Sequence, residues 1–414
     1  MKRYPCLILA LSFVLMSCSP RVGDSRHRFE VDTVDGVRTA INNGIPKYSD
    51  PLFSYEEILR FQEDPDNEES ILTRPSTILL DESGTIYIED SGDNRIAVFN
   101  DRGEYVRSIG REGEGPGEFQ SMDSPMIHDG LMQIYDRRLH RLSLFTTAGE
   151  LEDMIQLGQM VGDHQIHTPM FVYRCRDGSL IVNDDELTSD EEIQLSRKRV
   201  FIFDPDGQLR WQTETPHLQI GTWVNFRGVR GLGAVMPYAS RARVDLHPDH
   251  GILVSPADEP VLRQYALDGA LQRRIEIQLG ERPFTAEDRS VITRDWNERV
   301  REASGISLEQ LQSMRDGMAF PERWAYWSSV SLDDAGYIWL GVDEHEAARE
   351  AAGFRSLVRV VSPEGEYLGD TRLPRGAGPV YHGHPIARVS DPDTGEITFV
   401  VYRLVPSVEG FAYP

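Results

Sequence analysis

Two short patterns alternate along most of the chain, and their alternation leaves few folds open. The first is a turn glycine followed by an apolar strand: "DESGTIYIED", "IHDGLMQIYD", "CRDGSLIVND", "PDHGILVSPA" and "DDAGYIWLGV", with glycines at 84, 130, 178, 251 and 336. The second is a strand running into a turn: "RIAVFNDRG", "RLSLFTTAG", "RVFIFDPDG", "VLRQYALDG" and "LVRVVSPEG", ending at Gly103, Gly149, Gly207, Gly269 and Gly365. Apolar residues alternate with the period of a strand, and Asp-Gly or a relative supplies each hairpin turn. The two glycines of a unit lie 19, 19, 29, 18 and 29 residues apart, so the long gaps mark insertions. Each unit holds two hairpins and therefore four strands, and such units repeated around an axis are the blades of a β-propeller. A sixth turn, "PDTGEITFVVY" with Gly395, has no second hairpin after it. The sequence thus predicts an all-β, six-bladed propeller. Its sixth blade is completed by the N-terminal strands of "FEVDTVDGVRTAINN", residues 29–43, which would join the chain ends and remove an open edge.

Polar residues recur at fixed places. Asp90 with Arg95, Asp136 with Arg141, and Asp184 with Arg199 occupy neighbouring strands in the first three units. A carboxylate and a guanidinium so placed can pair and hold strand register, and recurrence in three blades gives them a structural role. Blades four and five lack the repeat Arg, and blade two has His140 where blade one has Asn94. The Gly-rich stretch "GREGEGPGEF" (110–119) reads as the connector from blade one to blade two. It is unsuited to a phosphate, since Pro116 removes an N–H and Glu112, Glu114 and Glu118 repel an anion.

The N-terminus is "MKRYPCLILALSFVLMSCSP": basic Lys2 and Arg3, eleven apolar residues too few to span a bilayer, then "LMSC". This resembles a bacterial lipobox, which implies a signal peptide over 1–17, cleavage before Cys18, acylation of that cysteine, and a tether over 18–27. Cys6 leaves with the signal, so only Cys175 is left as a free thiol, without a partner for a disulfide. Losing Lys2 and Arg3 takes the formal net charge from −24 to −26. Such a chain makes a poor partner for nucleic acid or for an anionic lipid surface. The stretch 75–119, with "FEVDTVDGVRTAINNG" and "YIWLGV", is similar to NHL-type repeats, and the chain from 28 to 414 resembles the bacterial six-bladed β-propeller lipoproteins. The resemblance implies the fold and an envelope location on a lipid anchor, and it leaves function open.

No nucleophile elbow, zinc-protease helix or paired-cysteine motif occurs. Cys175 reads as a packed thiol. "YHGHP" offers His382 and His384 as a weak metal pair placed before the first strand of blade six; no third ligand can be named. Two insertions interrupt the repeat. One, 217–238, is Gly-rich and aromatic and carries Arg227 and Arg230. The other, 284–327 between blades four and five, is helical: Thr285/Asp288 and Ser307/Gln310 read as capping boxes opening helices over about 286–303 and 308–316. Trp324, Tyr326 and Trp327 follow. With Arg227 and Arg230 they are the ligand-binding candidates, as a lid over one end of the channel; the plainer expectation is that the two insertions pack on each other. The favoured function is a non-catalytic, lipid-anchored envelope protein that binds a small molecule, glycan or protein partner, with no cofactor expected. The alternative is a metal-dependent propeller enzyme of lactonase or lyase type, using a divalent metal in the axial channel.

Overall fold

The computed structural model describes residues 26–189, 193–226, 229–236, 238–256, 258–293, 316, 319–344, 352–353, 355–391 and 393–414. Its strands form six sheets, each containing a four-stranded antiparallel unit. Blade one is Pro75–Leu80, Ile86–Asp90, Arg95–Phe99 and Tyr105–Ile109. Blades two to five occupy 122–156, 169–214, 243–277 and 329–373. Blade six takes three strands from 377–406 and its fourth from Phe53–Gln62. The first strands of the blades stand side by side around the axis, those of blades four and five closest together.

The turn residues explain the hairpins. The Asn100 carboxamide accepts from the N–H groups of Arg102 and Glu104 at 3.0 and 2.9 Å, and Asp81 does the same for Ser83 and Thr85 at 2.9 and 3.0 Å. The second-turn glycines serve twice. Gly103 and Gly365 adopt φ of 74° and 97°, which suits glycine. A Cβ on Gly103 would lie 2.3 Å from Phe61 of blade six, and one on Gly365 would lie 2.7 Å from Ala40. In blades one and five the outer turn is therefore pressed against a strand of, or packed on, the neighbouring blade. Between blades six and one, Phe61 sits 5.2 Å from both Phe99 and Phe399, centroid to centroid.

The chain ends are not where the sequence predicts. Phe29–Val34 and Val37–Asn42 form a hairpin, but Val37–Asn42 runs parallel to Leu271–Ile277 and extends blade four outward. Asn42 fastens it to blade five by accepting from Tyr367 N–H at 2.8 Å and donating to the Gly365 carbonyl at 2.9 Å. The chain then crosses blade five and enters blade six, where Phe53–Gln62 pairs with Ile397–Pro406. Closure by N-terminal sequence is correct, but the closing strand is 53–62, not 29–43. Gly395 also sits one turn later than expected, between the second and third strands of blade six; Gly383 is in the first hairpin turn. The tail closes the joint from outside: Tyr413 donates to Asp333 at 2.7 Å, and Phe411 packs edge-on against Phe53 at 5.3 Å.

The Thr285/Asp288 capping box forms: the Thr285 N–H and hydroxyl donate to Asp288 Oδ2 at 2.5 and 2.7 Å, and the Asp288 N–H returns to Thr285 at 3.2 Å. The helix is described over 286–293. The rest of that helix, Ser307/Gln310 and all but residue 316 of the second lie outside the described residues.

Deleting the chain through residue 43 should lower the melting midpoint yet keep one cooperative transition, because the ring stays closed. Deleting through Gln62 should abolish the cooperative transition, because blade six loses its fourth strand and exposes an edge. A sharp, unshifted melt after the longer deletion would refute closure by 53–62.

Candidate functional site

The turns joining first to second strands gather at one end of the axis. There the residue two positions before each turn glycine meets a shared cavity: Glu82, His128, Asp249, Asp334 and Tyr381 line it, from blades one, two, four, five and six. Blade three's counterpart, Arg176, stands outside the lining and pairs with Asp129. The cavity holds about 630 Å³, a size that suits a small ligand. Carboxylates of Asp81, Glu82, Asp129, Asp245, Asp249 and Asp334 border it, and its described lining contains no lysine or arginine.

Asp334 is the centre of this wall because its neighbour is pinned. Asp333 makes the turn, accepting from Ala335 and Tyr337 N–H at 3.1 and 2.8 Å and from the Trp339 indole at 2.7 Å. Asp334 is left to project. Its Oδ1 lies 3.3 Å from His247 Nε2, its Oδ2 accepts from His382 N–H at 2.6 Å, and its carbonyl lies 2.9 Å from His250 Nε2. Burial pushes the Asp334 carboxyl up, but the His247 imidazole and the His382 N–H outweigh it and hold the group below the usual carboxylate range. Across the cavity, His128 Nε2 lies 3.3 Å from Asp129 and 3.8 Å from Asp249.

Deeper in, Asp245 sits on the first strand of blade four and accepts from Leu332 N–H of blade five at 2.7 Å. Burial raises its carboxyl to about 6, against the pull of the Leu332 and Leu246 N–H groups. Tyr381 faces the same space; burial and then the nearby Asp245 and Asp334 raise its phenol. The wall therefore offers anionic oxygens, carboxylate-oriented imidazoles and one phenol, which can hold a cation or move a proton.

The residues singled out from sequence fall elsewhere. Trp324 is packed between Tyr238, at 4.7 Å, and Phe284, at 5.0 Å, with the Arg282 guanidinium 5.1 Å from its ring. Trp327 is fully buried between blades four and five and donates to Ser255. Tyr326 is 9% exposed, and its carbonyl accepts from Arg359. Tyr238 brings the two insertions into contact, and none of the three aromatic candidates lines the axial cavity. Arg227 lies outside the described residues; Arg230 is on the strand Val229–Val235, with no side chain described. His382 and His384 flank the first turn of blade six instead of preceding its first strand. His382 turns to Asp334, while His384 Nδ1 lies 2.7 Å from the His382 carbonyl. Among the described residues no group of three or more His, Cys, Asp or Glu is arranged to hold a metal ion. Cys175 is buried, and burial pushes its thiol up.

The repeat pairs occupy opposed register positions, Asp90 to Arg95, Asp136 to Arg141 and Asp184 to Arg199. The first and last are ion pairs, at 3.4 and 2.5 Å. In blade two both groups turn to the connector instead: Asp136 accepts from Gln120 N–H at 2.7 Å, and Arg141 donates to the carbonyls of Glu114 and Gly115 at 3.0 and 3.1 Å. The cavity residues carry a sequence signal that the repeat analysis did not use, the second position before each first-turn glycine.

A family model described as "6-bladed beta-propeller" matches residues 66–161, which hold blades one and two. The likeness is to six-bladed β-propellers. No curated protein matches the chain in sequence. Among solved structures, a Bacteroides fragilis protein described as exported is similar over 84% of this chain and 95% of its own, at 10% identity and a TM-score of 0.47. A member of the DUF4221 family from Bacteroides vulgatus is similar over 86% and 99%, at 11% identity and 0.46. Virginiamycin B lyase from Staphylococcus aureus covers 85% and 100%, at 10% and 0.39. These similarities are of fold only, and the blade count of the propeller rests on its own six sheets.

Asp245 makes the site's pH behaviour testable. Its native value near 6 exceeds the ordinary 3.8, so between those values the folded state binds more protons than the unfolded state. Its contribution to stability is therefore present at low pH and declines as pH rises through that window. Asp245→Asn should remove this decline, so that thermal melts at pH 4.5 and pH 7 show the variant gaining on wild type at the higher pH. An identical pH profile for both proteins would contradict the assignment.

Proposed function

We propose that the protein is an exported, lipid-anchored propeller that binds a small, positively charged molecule in the axial cavity without transforming it. The observation that carries this reading is the lining: six carboxylates and no described lysine or arginine around about 630 Å³. Low-dielectric walls bearing one sign of charge concentrate a counter-charged ligand. The opposed turns supply the orienting groups, His128 with Asp249 on one side and Asp334 with His247 on the other. Titration calorimetry with protonated amines and matched organic anions should find binding only among the amines, weakening as salt is raised. The double variant Glu82→Gln/Asp249→Asn removes two wall charges and should weaken an amine about tenfold, in line with ~0.5–1 kcal/mol for each partly exposed charge. Anion binding, or an indifferent double variant, would refute the reading.

The anchor rests on "LMSC" ending at Cys18. Cys18→Ser should release the protein from the membrane fraction and abolish incorporation of labelled fatty acid; equal labelling of wild type and variant would refute lipidation. A second reading, an enzyme, is supported by the His247 imidazole held 3.3 Å from Asp334, an arrangement that suits a general base. In the metal-dependent form of that reading His382 and His384 would be ligands, and metal analysis of the purified protein tests it.

A further inference from the structure

A second cavity, of about 390 Å³, lies between blades five and six. Ser331 and Pro379 line both this space and the acidic one. Ser331 lies on the first strand of blade five, Ser329–Leu332, and Pro379 on that of blade six, Ala377–Tyr381. The two cavities are thus successive chambers along the same pair of inner strands, the acidic one at the first-turn end and the other toward the connector end, where Tyr238 of the first insertion borders it.

The second chamber has different chemistry. Four serines line it, Ser328, Ser329, Ser331 and Ser356, over an apolar floor that includes Val358 and Val380. Ser329 and Ser331 share one face of their strand by its period of two. Ser328 and Ser329 converge on Gly341: a Cβ there would lie 3.3 and 2.3 Å from their hydroxyl oxygens. Serine hydroxyls can donate and accept at once. Among the described residues none of the four hydroxyls has a protein partner, while the Ser328 carbonyl accepts from Arg243 Nε at 2.5 Å. Glu344, at the same chamber's edge, is held by Arg372 at 2.6 and 2.7 Å.

We infer that the two chambers form one elongated site for an amino-sugar oligomer, its ammonium group among the acidic-chamber carboxylates and its next hydroxylated ring against the serines. This rests on the cation-binding reading of the acidic chamber. A sugar hydroxyl matches a serine because each can give and take a hydrogen bond, and a hydrophobic ring face suits the apolar floor.

The test uses glucosamine, a β-linked trimer with one free amine on its terminal ring and the other two rings N-acetylated, and the fully N-acetylated trimer in titration calorimetry on the mature protein. Glucosamine should bind in the acidic chamber alone. The trimer should bind at least tenfold more tightly, and the acetylated trimer, lacking charge, at least tenfold more weakly than the trimer. Ser329→Phe and, separately, Ser356→Tyr fill only the second chamber. Each should cancel the trimer's gain and leave glucosamine affinity unchanged, with a melt confirming that the variant is folded. Equal affinities for monomer and trimer, or a gain that survives both variants, would overturn the two-chamber site and leave the cation-binding reading standing. Binding of simple amines but not of glucosamine would likewise overturn this inference alone. Failure of every amine to bind would remove both.

Discussion

In blades one to three a buried carboxylate fixes the point at which the chain reaches the axis. Asp90, Asp136 and Asp184 have no exposed surface. Each accepts from the N–H groups of the connector that feeds its own blade: Asp90 from Thr73 and Arg74 at 3.1 and 2.7 Å, Asp136 from Gln120 at 2.7 Å, and Asp184 from His167 and Thr168 at 3.0 and 2.6 Å. The partner arginine donates to carbonyls of the same connector: Arg95 to Glu69, Arg141 to Glu114, and Arg199 to Gln165. A buried carboxylate without partners would be costly, and so would a buried connector with unpaired N–H groups; each satisfies the other. The first strand begins within two residues of these contacts. The carboxylate therefore sets the strand's phase, and with it which residues face the axis.

Blades four and five solve the same problem with other parts. The insertion between them replaces a short connector, and the fasteners change accordingly. Arg359 of blade five donates to the Tyr326 carbonyl at 2.8 Å, and the Trp327 indole donates to Ser255 of blade four. Asp245 takes the Leu332 N–H from across the blade boundary. This bond has a chemical result: it holds a carboxylate on the inner strand of blade four, where it borders the cavity, whereas Asp90, Asp136 and Asp184 lie on second strands. The polar wall draws on both kinds of blade, with Asp81 and Glu82 on blade one, His128 and Asp129 on blade two, Asp245, His247 and Asp249 on blade four, Asp334 on blade five and His382 on blade six.

The repeat was legible because backbone needs constrain it. Turns that demand a left-handed residue select glycine, and at Gly103 and Gly365 a side chain would also strike the neighbouring unit, so Gly84, Gly103 and their counterparts mark the hairpins in the sequence itself. The connector reading of "GREGEGPGEF" held for the same reason, with Gly110 and Gly117 at φ of 79° and 75°. The closing strand was harder to see. "FSYEEILRFQ" carries no glycine and spreads its apolar residues, Phe53, Tyr55, Leu59 and Phe61, around charged ones, whereas 29–43 has an Asp-Gly turn and attracts the eye as a hairpin. It is a hairpin, but pairing partners are a tertiary matter, and the parallel match to 271–277 leaves no local trace. The aromatic residues of the second insertion looked like a lid because large apolar side chains in a long loop suit binding and packing equally. Burial distinguishes the two, and burial is absent from sequence.

The cavity carboxylates also have work in the fold. Asp81 holds its turn through Ser83 and Thr85 N–H and accepts from the Tyr87 hydroxyl at 2.9 Å. Asp245 ties two blades, and Asp334 holds the His382 turn. Each is fixed in place before any ligand arrives, so a cation entering the cavity need not order them, and the rotamer entropy that binding normally costs has been spent in folding. An ionised carboxylate accepts through two oxygens and about four lone-pair directions, so the four donors on Asp81 use it fully, whereas the bonds to Asp245 and Asp334 use only part of each. Both of these groups border the cavity. A ring of turns built to hold strands together thereby presents preorganised negative charge on its inner side, and the acidic wall follows from the turn chemistry that makes the blades.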